Sequence, residues 1–542
     1  MSFVQPAPRL ADPYRDDRVL QSWLSRVLPD AERHGAEPDF VALAEYARRA
    51  YARETTTPPA EPVLTNWDVW GNRVDRIELT QTWREGPAIA AKYGLVADGH
   101  DRALGGFARV QQFAKVYLYH AASAFYSCPL AMTDGVATTL RGASNVALRD
   151  RILPHLLSRD SATFWISGQW MTENTGGSDV GGSETTARRD GDGTWRLNGR
   201  KWFTSAINAE VALALARPDG NPDGPDGLAL FCVETRNADG SWNGLILDRL
   251  KDKFGTRELP TAEIHLHDTR AELVGGTTNG VRAITPVLQV TRLWNAFGSL
   301  STMARCLALT RDYARRRATF GKPLIEQPLF ADSLAGWEAE FEAAFHLAME
   351  VALLLGRVES GAGNDRDAAL QRLLTPLAKA WICKLGVHIA SETIEAFGGI
   401  GYLEDSGIPL LLRDAQVFPI WEGSSNVQAL DFLRALEKLG IDALVEAVDD
   451  WIEAADGAVA DHDAEAIHGA IRHADTWLRD HARDADALQA GALRLATTCA
   501  RSVAAALLAR HAAWAQREQG DSAPAVSLRR FCAHGIDRIQ AM

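Results

Sequence analysis

Cysteine is scarce. The six present (Cys128, Cys232, Cys306, Cys383, Cys499 and Cys532) are far apart and form no CxxC or other metal-type spacing, so neither a disulfide framework nor a structural zinc site has anything to build on. Buried thiols are the reading that fits. Long uncharged apolar runs are also missing. No stretch approaches the ~18 residues a membrane span needs, and Met1 to Arg9 has no charged segment followed by an apolar one. This predicts a cytoplasmic protein with no membrane partner. Positive charge is in the minority, with 57 Lys+Arg against 70 Asp+Glu and a formal charge of −13, which disfavours nucleic acid unless a local basic patch provides for it.

What is present is the makeup of a globular protein: 46% hydrophobic, 23% charged and 8% aromatic residues over 542 positions, more chain than one core organises. The pattern divides it into an extension and linker (1–62), a helical unit (63–160), a β unit (161–275), a helical bundle (276–440) and an appended Ala-rich helical unit without lysine (441–542). Thr55 to Pro62 reads as the linker, because its prolines forbid a helix. Phe107, Val110, Phe113, Val116 and Tyr117 are spaced for a helix. Thr163–Ser167, Trp195–Phe203, Leu228–Val233 and Ala262–His267 read as strands, and helical spacing returns after Gly280, with breaks near Gly398 and Gly440. Helices, then strands, then helices predict an α+β fold with segregated layers, not a Rossmann sheet.

Five segments could carry chemistry, and each has a plainer reading beside it. Met171-Thr172-Glu173-Asn174-Thr175-Gly176-Gly177-Ser178-Asp179-Val180 places two glycines and a serine after a strand, as a phosphate cradle or an ordinary turn does. In Arg200-Lys201-Trp202-Phe203-Thr204-Ser205, alternation predicts Trp202 and Thr204 on one face, either as a platform for a planar heterocycle or as core. Arg315 to Lys322 and Phe397 to Tyr402 read equally as a basic helix end and a glycine turn. In Phe418-Pro419-Ile420-Trp421-Glu422-Gly423-Ser424-Ser425-Asn426 a carboxylate stands between apolar residues and a Gly-Ser turn. That suits a general base or, on the other account, an acid that starts a helix.

Taken in order, these segments over residues 70 to 440 resemble the signature segments of the acyl-CoA dehydrogenase flavoprotein family. The two extra units and the wording MTENTGGSDV, RLKDKFGTRE and IWEGSSN resemble its AidB-like branch, linked to alkylation damage. The resemblance implies the acyl-CoA dehydrogenase fold: an N-terminal helical domain, a middle β-barrel and a C-terminal four-helix bundle, with an extra C-terminal helical unit and FAD as cofactor. It implies that Thr172 bonds the flavin ring, Ser178 the pyrophosphate, and that Trp202 shields one ring face while Thr204 reaches N5. Met171, Gly177 and Ser424 join these contacts, and Arg317, Thr319 and Phe320 with Gly398 and Gly399 serve the adjoining subunit's FAD. A homo-oligomer, dimer or tetramer, follows from that sharing.

By the same resemblance Glu422 is the base for α,β-dehydrogenation of an acyl-CoA or related thioester, with Arg292 nearby, hydride passing to flavin N5 and an electron-transfer flavoprotein as acceptor. Thr291 stands where isovaleryl-type members carry a Glu, and Glu395 and Asn174-Thr175 also depart from the family pattern. Two other readings stay open on the residues: an AidB-like DNA-associated flavoprotein, and an FAD oxidase or monooxygenase. For the first, the tail offers seven Arg against three acids over 494–538, which leaves room for a modest basic face, but a solvated helix is the plainer reading and the whole of 441–542 has ten Arg against sixteen acids.

Overall fold

The computed structural model describes residues 5–57, 60–455, 457 and 459–539; Pro58 and Pro59 of the linker and Met1–Val4 of the N-terminal segment lie outside the described residues. The chain forms two compact units, one of residues 1–57, 102–122 and 295–542, the other of 58–101 and 123–294.

The second unit is built on β-structure. Among the described residues its main sheet has seven strands. Strand Val211–Pro218 pairs with Ser167–Trp170, with Thr186–Arg189 and with Ala229–Glu234. From Thr186–Arg189 the path runs through Trp195–Ser205 and Thr261–Leu273 to Ala229–Glu234, and so returns to its start. The sheet is therefore a closed barrel whose central strands have no free edge. Val211–Pro218, read VALALARP, is buried nearly throughout because both faces are covered: Leu213 and Leu215 pack with Leu140 and Ile152, while Ala212 and Ala214 pack with Phe231 and Ile264.

Three of the four expected strands are found with small shifts, but Thr163–Ser167 is displaced: the strand is Ser167–Trp170, and Thr163 instead joins a turn at Asp160. The 63–160 region also opens on a two-stranded hairpin, Val63–Trp67 with Arg73–Glu78, where helical spacing was expected from Trp67 onward. Its pairing is the reason. Trp242 Nε1 donates to the Asp75 carbonyl and the Leu247 N–H donates to the Asp75 carboxylate, contacts that no local pattern reveals.

The first unit is helical. Ala108–His120 is buried along its whole length, and Phe113 stacks on Phe297 at 4.6 Å. Asp365–Phe397 starts on a reciprocal cap between Asn364 and Asp367 and stops at Gly398, whose φ of 61° ends the helix as expected. The helical run Asp365–Tyr402, which joins this helix to the tight turn Gly398–Tyr402, and helix Ala485–Gln519 are, by length and composition, apolar enough to cross a membrane, which the residue pattern did not suggest; 83% of each apolar stretch is buried within the protein, as in core helices.

Candidate active site

On the β unit, strand Ser167–Trp170 runs into the glycine turn. The Trp202 N–H donates to the Thr172 carbonyl (2.9 Å), which sets the half-buried Met171 and Thr172 alongside Trp202. Glu173 and Gly176 exchange N–H···O=C bonds of 3.1 Å each, so the turn closes on itself. At Gly177 a Cβ would come 2.6 Å from Thr172 Oγ1, which is why the chain needs glycine before the exposed Ser178.

Beneath this turn lies an anchor to which the sequence alone gives no role. Glu173, 4% exposed, accepts from Lys201 Nζ (2.6 Å), Thr185 Oγ1 (2.6 Å) and the Glu184 N–H (2.7 Å). Lys201, fully buried, also donates to the Leu215 carbonyl (2.7 Å). Burial opposes the charge on Glu173, but the Lys201 ammonium and these hydrogen bonds overrule it and hold the carboxyl below the usual range. The signal in the sequence was a lone lysine at a strand position whose neighbours read as core.

The expectation that Trp202 and Thr204 share a face is corrected. Lys201 lies opposite Ile264 and Thr204 opposite Ala262, so one extra residue stands in the strand between them. This bulge breaks the period of two. Lys201 and Thr204 are both buried inward, and Thr204 Oγ1 donates to the Ala262 carbonyl (2.8 Å). Trp202 is half-buried on the other side, with Lys251 Nζ 3.6 Å and the Arg200 guanidinium 5.1 Å from its ring centre. Arg292 also belongs to this unit; it is 7% exposed, and Thr291 before it bonds the Val287 carbonyl (3.0 Å).

On the helical unit, the structure bears on one of the two accounts of Glu422. Helix Ser425–Leu439 begins after Ser424, so Glu422 lies outside its first turn and is no helix-starting acid. Its backbone is left-handed, φ 57°, followed by Gly423 at φ 94°. A non-glycine residue held this way costs about 1–3 kcal/mol and persists only where its surroundings enforce it. Gln428 Nε2 donates to the Glu422 carbonyl (2.7 Å), and the fully buried Lys379 donates through Nζ to the Gly423 carbonyl (2.6 Å). Both supports are new. Lys379 stands out only as a single cation in the apolar run Leu377 to Trp381.

The remaining candidates of this unit sit at chain reversals. Arg317 precedes the short hairpin Ala318–Thr319 with Lys322–Pro323, Thr319 is part of it, and Phe320 at its tip is 99% exposed with φ 50°. Gly398 and Gly399 are exposed, and an added Cβ on either would meet nothing within 4 Å.

Family comparison agrees with the motifs. Residues 168–269 match the acyl-CoA dehydrogenase middle domain, 278–437 its C-terminal domain, and 5–161 the adaptive response protein AidB N-terminal domain. The chain belongs to the acyl-CoA dehydrogenase family. Members of this family are FAD-dependent oxidoreductases, and the chain is an oxidoreductase of acyl-CoA dehydrogenase type with AidB-like relatives. Acyl-CoA dehydrogenase family member 11 of Caenorhabditis elegans is 42% identical over 445 residues, 80% of this chain and 72% of that protein. AidB of Escherichia coli K12 is 35% identical over 454 residues, 80% of each. The crystal structure of Caenorhabditis elegans ACDH-11 in complex with C11-CoA superposes with a TM-score of 0.94 at 36% identity, covering 99% of this chain and 94% of that one.

The residues of this acyl-CoA dehydrogenase fit FAD. Gly399 is neither left-handed nor crowded, so the fold itself does not demand glycine there, and its open surroundings leave room for a ligand. Ser178 and the exposed glycine turn offer the N–H and hydroxyl donors a pyrophosphate takes.

The structure also bears on the tail's arginines. Arg501 is buried on Glu340 (2.7 Å), Arg510 pairs with Glu350 (2.7 Å), Arg517 with Glu518 (2.8 Å) and Arg530 with Asp332 (2.6 Å). Four of the seven arginines are thus matched by carboxylates, one of them, Arg501, inside the protein, while Arg529 and Arg538 are exposed.

Proposed function

We propose that the protein oxidises an acyl-CoA thioester across its Cα–Cβ bond, with Glu422 as the base. The observation that carries this reading is the enforced left-handed backbone of Glu422, held by Gln428 and Lys379 outside the helix that follows. The Glu422 carboxylate takes the α proton, and its backbone N–H donates to the thioester carbonyl as charge develops there. FAD, when bound, supplies the acceptor for the β hydride. Thr172, Ser178 and Trp202, with Met171 and Gly177, hold and orient the flavin, while Thr204, its hydroxyl spent on the Ala262 carbonyl, supports the strand from within; Arg317, Thr319, Phe320, Gly398 and Gly399 hold FAD for an adjoining subunit; Ser424 and Arg292 complete the set.

The acyl-CoA class is supported by the worm relative's complex with C11-CoA. A cytoplasmic homotetramer that passes electrons to an electron-transfer flavoprotein completes the reading. Anaerobic addition of acyl-CoAs of graded chain length to the FAD-loaded enzyme tests it. Flavin absorbance bleaches with at least one of them in the wild type, and with none in Glu422→Gln, which keeps its colour. Bleaching that persists in that variant removes Glu422 from the chemistry.

A further inference from the structure

Helices Arg18–Val27, Pro328–Ser360 and Ala485–Gln519 gather Ser22, Arg26, His346, Glu350, Arg510 and His511 inside the helical unit. None of these residues belongs to the flavin or thioester set. His511 is fully engaged. Arg26 Nε donates to its Nδ1 (3.1 Å), so its proton sits on Nε2, which donates to Ser22 Oγ (3.1 Å), and Ser22 donates in turn to Gln519 Oε1 (2.8 Å). That chain fixes one neutral tautomer.

His346 is the opposite case. It is 1% exposed, its ring centre lies 4.4 Å from that of His511, and neither of its nitrogens has a hydrogen-bond partner among the described residues. Arg26 Nη2 and Arg510 Nε are buried without a partner as well. Buried polar atoms left unmet are costly, and a protein that keeps several of them together is keeping a place for something that meets them.

Charge decides what that is. Arg510 is balanced by Glu350 (2.7 Å), whereas Arg26 has no carboxylate within ion-pair distance among the described residues. Burial drives the pKa values of both histidines down, helped at His346 by His511 and then the arginines and at His511 by the arginines, to about 3 for His511, which favours the neutral rings. Farther out, Glu342 (2.6 Å) and Asp521 (3.4 Å) are both bonded to Arg18 and make no ion pair with Arg26. Within the inner group of Arg26, Arg510 and Glu350, one positive charge is left over. Water would meet the donors and leave that charge; an anion meets both.

We propose that Arg26, Arg510 and the N–H of His346 enclose a binding site for a small monovalent inorganic anion of the chloride class. The ion joins the N-terminal helix to the two long helices and supplies the counter-charge that Arg26 lacks. Consistent with this, burial and then Arg510 push the Arg26 guanidinium down to about 10.

Crystals of the FAD-loaded protein soaked in sodium bromide show an anomalous peak between Arg26, His346 and Arg510; no peak there, or a water in its place, overturns the assignment. In solution, chloride titrated against gluconate at constant ionic strength raises the wild-type Tm saturably by roughly 2 °C and leaves Arg26→Gln unmoved. An equal response in the two proteins also overturns it. Should Arg26→Gln fail to fold, His346→Phe, which removes both ring nitrogens and keeps an aromatic of similar shape, is read in the same way.

Discussion

The glycine turn of the β unit hangs on one carboxylate, and that makes its pH response predictable. Glu173 is held below its ordinary value of 4.5 by Lys201 and three protein donors, against the pull of burial. A carboxyl whose pKa is depressed by folding contributes stability that is fully present above its unfolded value and is lost as the pH falls through the folded one. Glu173→Gln leaves Lys201 buried beside a neutral group, which costs about 3–5 kcal/mol at pH 7 by the measure of broken buried pairs. Urea unfolding of the two proteins between pH 7 and pH 3 is expected to show a gap that is widest at neutral pH and narrows below about 4.5. A gap that is constant with pH would mean the pair contributes through shape and not charge. At this scale the sequence named Thr172, Ser178 and Glu422 but gave no role to Glu173, Lys201 or Lys379. Their meaning depends on which backbone carbonyl or carboxylate a distant strand or helix brings within 3 Å, and spacing along the chain holds no record of that.

At the scale of elements, what could be read locally was read well. Gly398 and Gly440 stop helices Asp365–Phe397 and Ser425–Leu439 because each has a positive φ, 61° and 72°, that other residues avoid. Pairing is where the reading stopped. The bulge between Lys201 and Thr204, the hairpin at Val63–Glu78 and the shifted strand Ser167–Trp170 are all set by partner strands, and a one-residue change of register turns every later side chain to the other face. The two adjacent glycines separate fold from ligand. Gly398→Ala forces alanine into a glycine-only backbone region (φ 61°, ψ −145°), and a loss of about 1–3 kcal/mol in the unfolding free energy of the FAD-free protein is expected. Gly399→Ala meets open space without backbone strain. Its FAD-free stability should stay within about 0.5 kcal/mol of wild type, while its FAD dissociation constant, measured by fluorescence titration, rises several-fold. Unchanged FAD affinity in Gly399→Ala would remove this turn from the cofactor site.

At the scale of the whole molecule, two surfaces are set against each other. The tail's arginines looked like an electrostatic face when counted along the chain, yet Arg501, Arg510 and Arg530 are paired with Glu340, Glu350 and Asp332 of the long helix Pro328–Ser360, and the chain as a whole carries −13. Duplex DNA is therefore expected not to bind at 150 mM salt in an electrophoretic shift, and Arg529→Ala/Arg530→Ala should change nothing; a salt-sensitive complex that this double variant weakens would reverse that conclusion. The second surface is apolar. Phe320, 99% exposed at the tip of its hairpin, stands close in sequence to the 81% exposed Leu329, and the Gly398–Gly399 turn leads into Tyr402 at 84% and Leu403 at 59%. Under the proposed sharing of FAD between subunits, these bare apolar side chains are the ones a second copy would cover. If a second copy of the chain covers Phe320 while FAD is bound against it, assembly and cofactor retention must fall together. Phe320→Asp is expected to shift the sedimentation coefficient toward the monomer and to release FAD on gel filtration, with added FAD partly restoring the larger species. A variant that stays assembled yet loses FAD places Phe320 at the cofactor alone, and one that dissociates yet keeps its colour rules out the sharing of FAD across the interface.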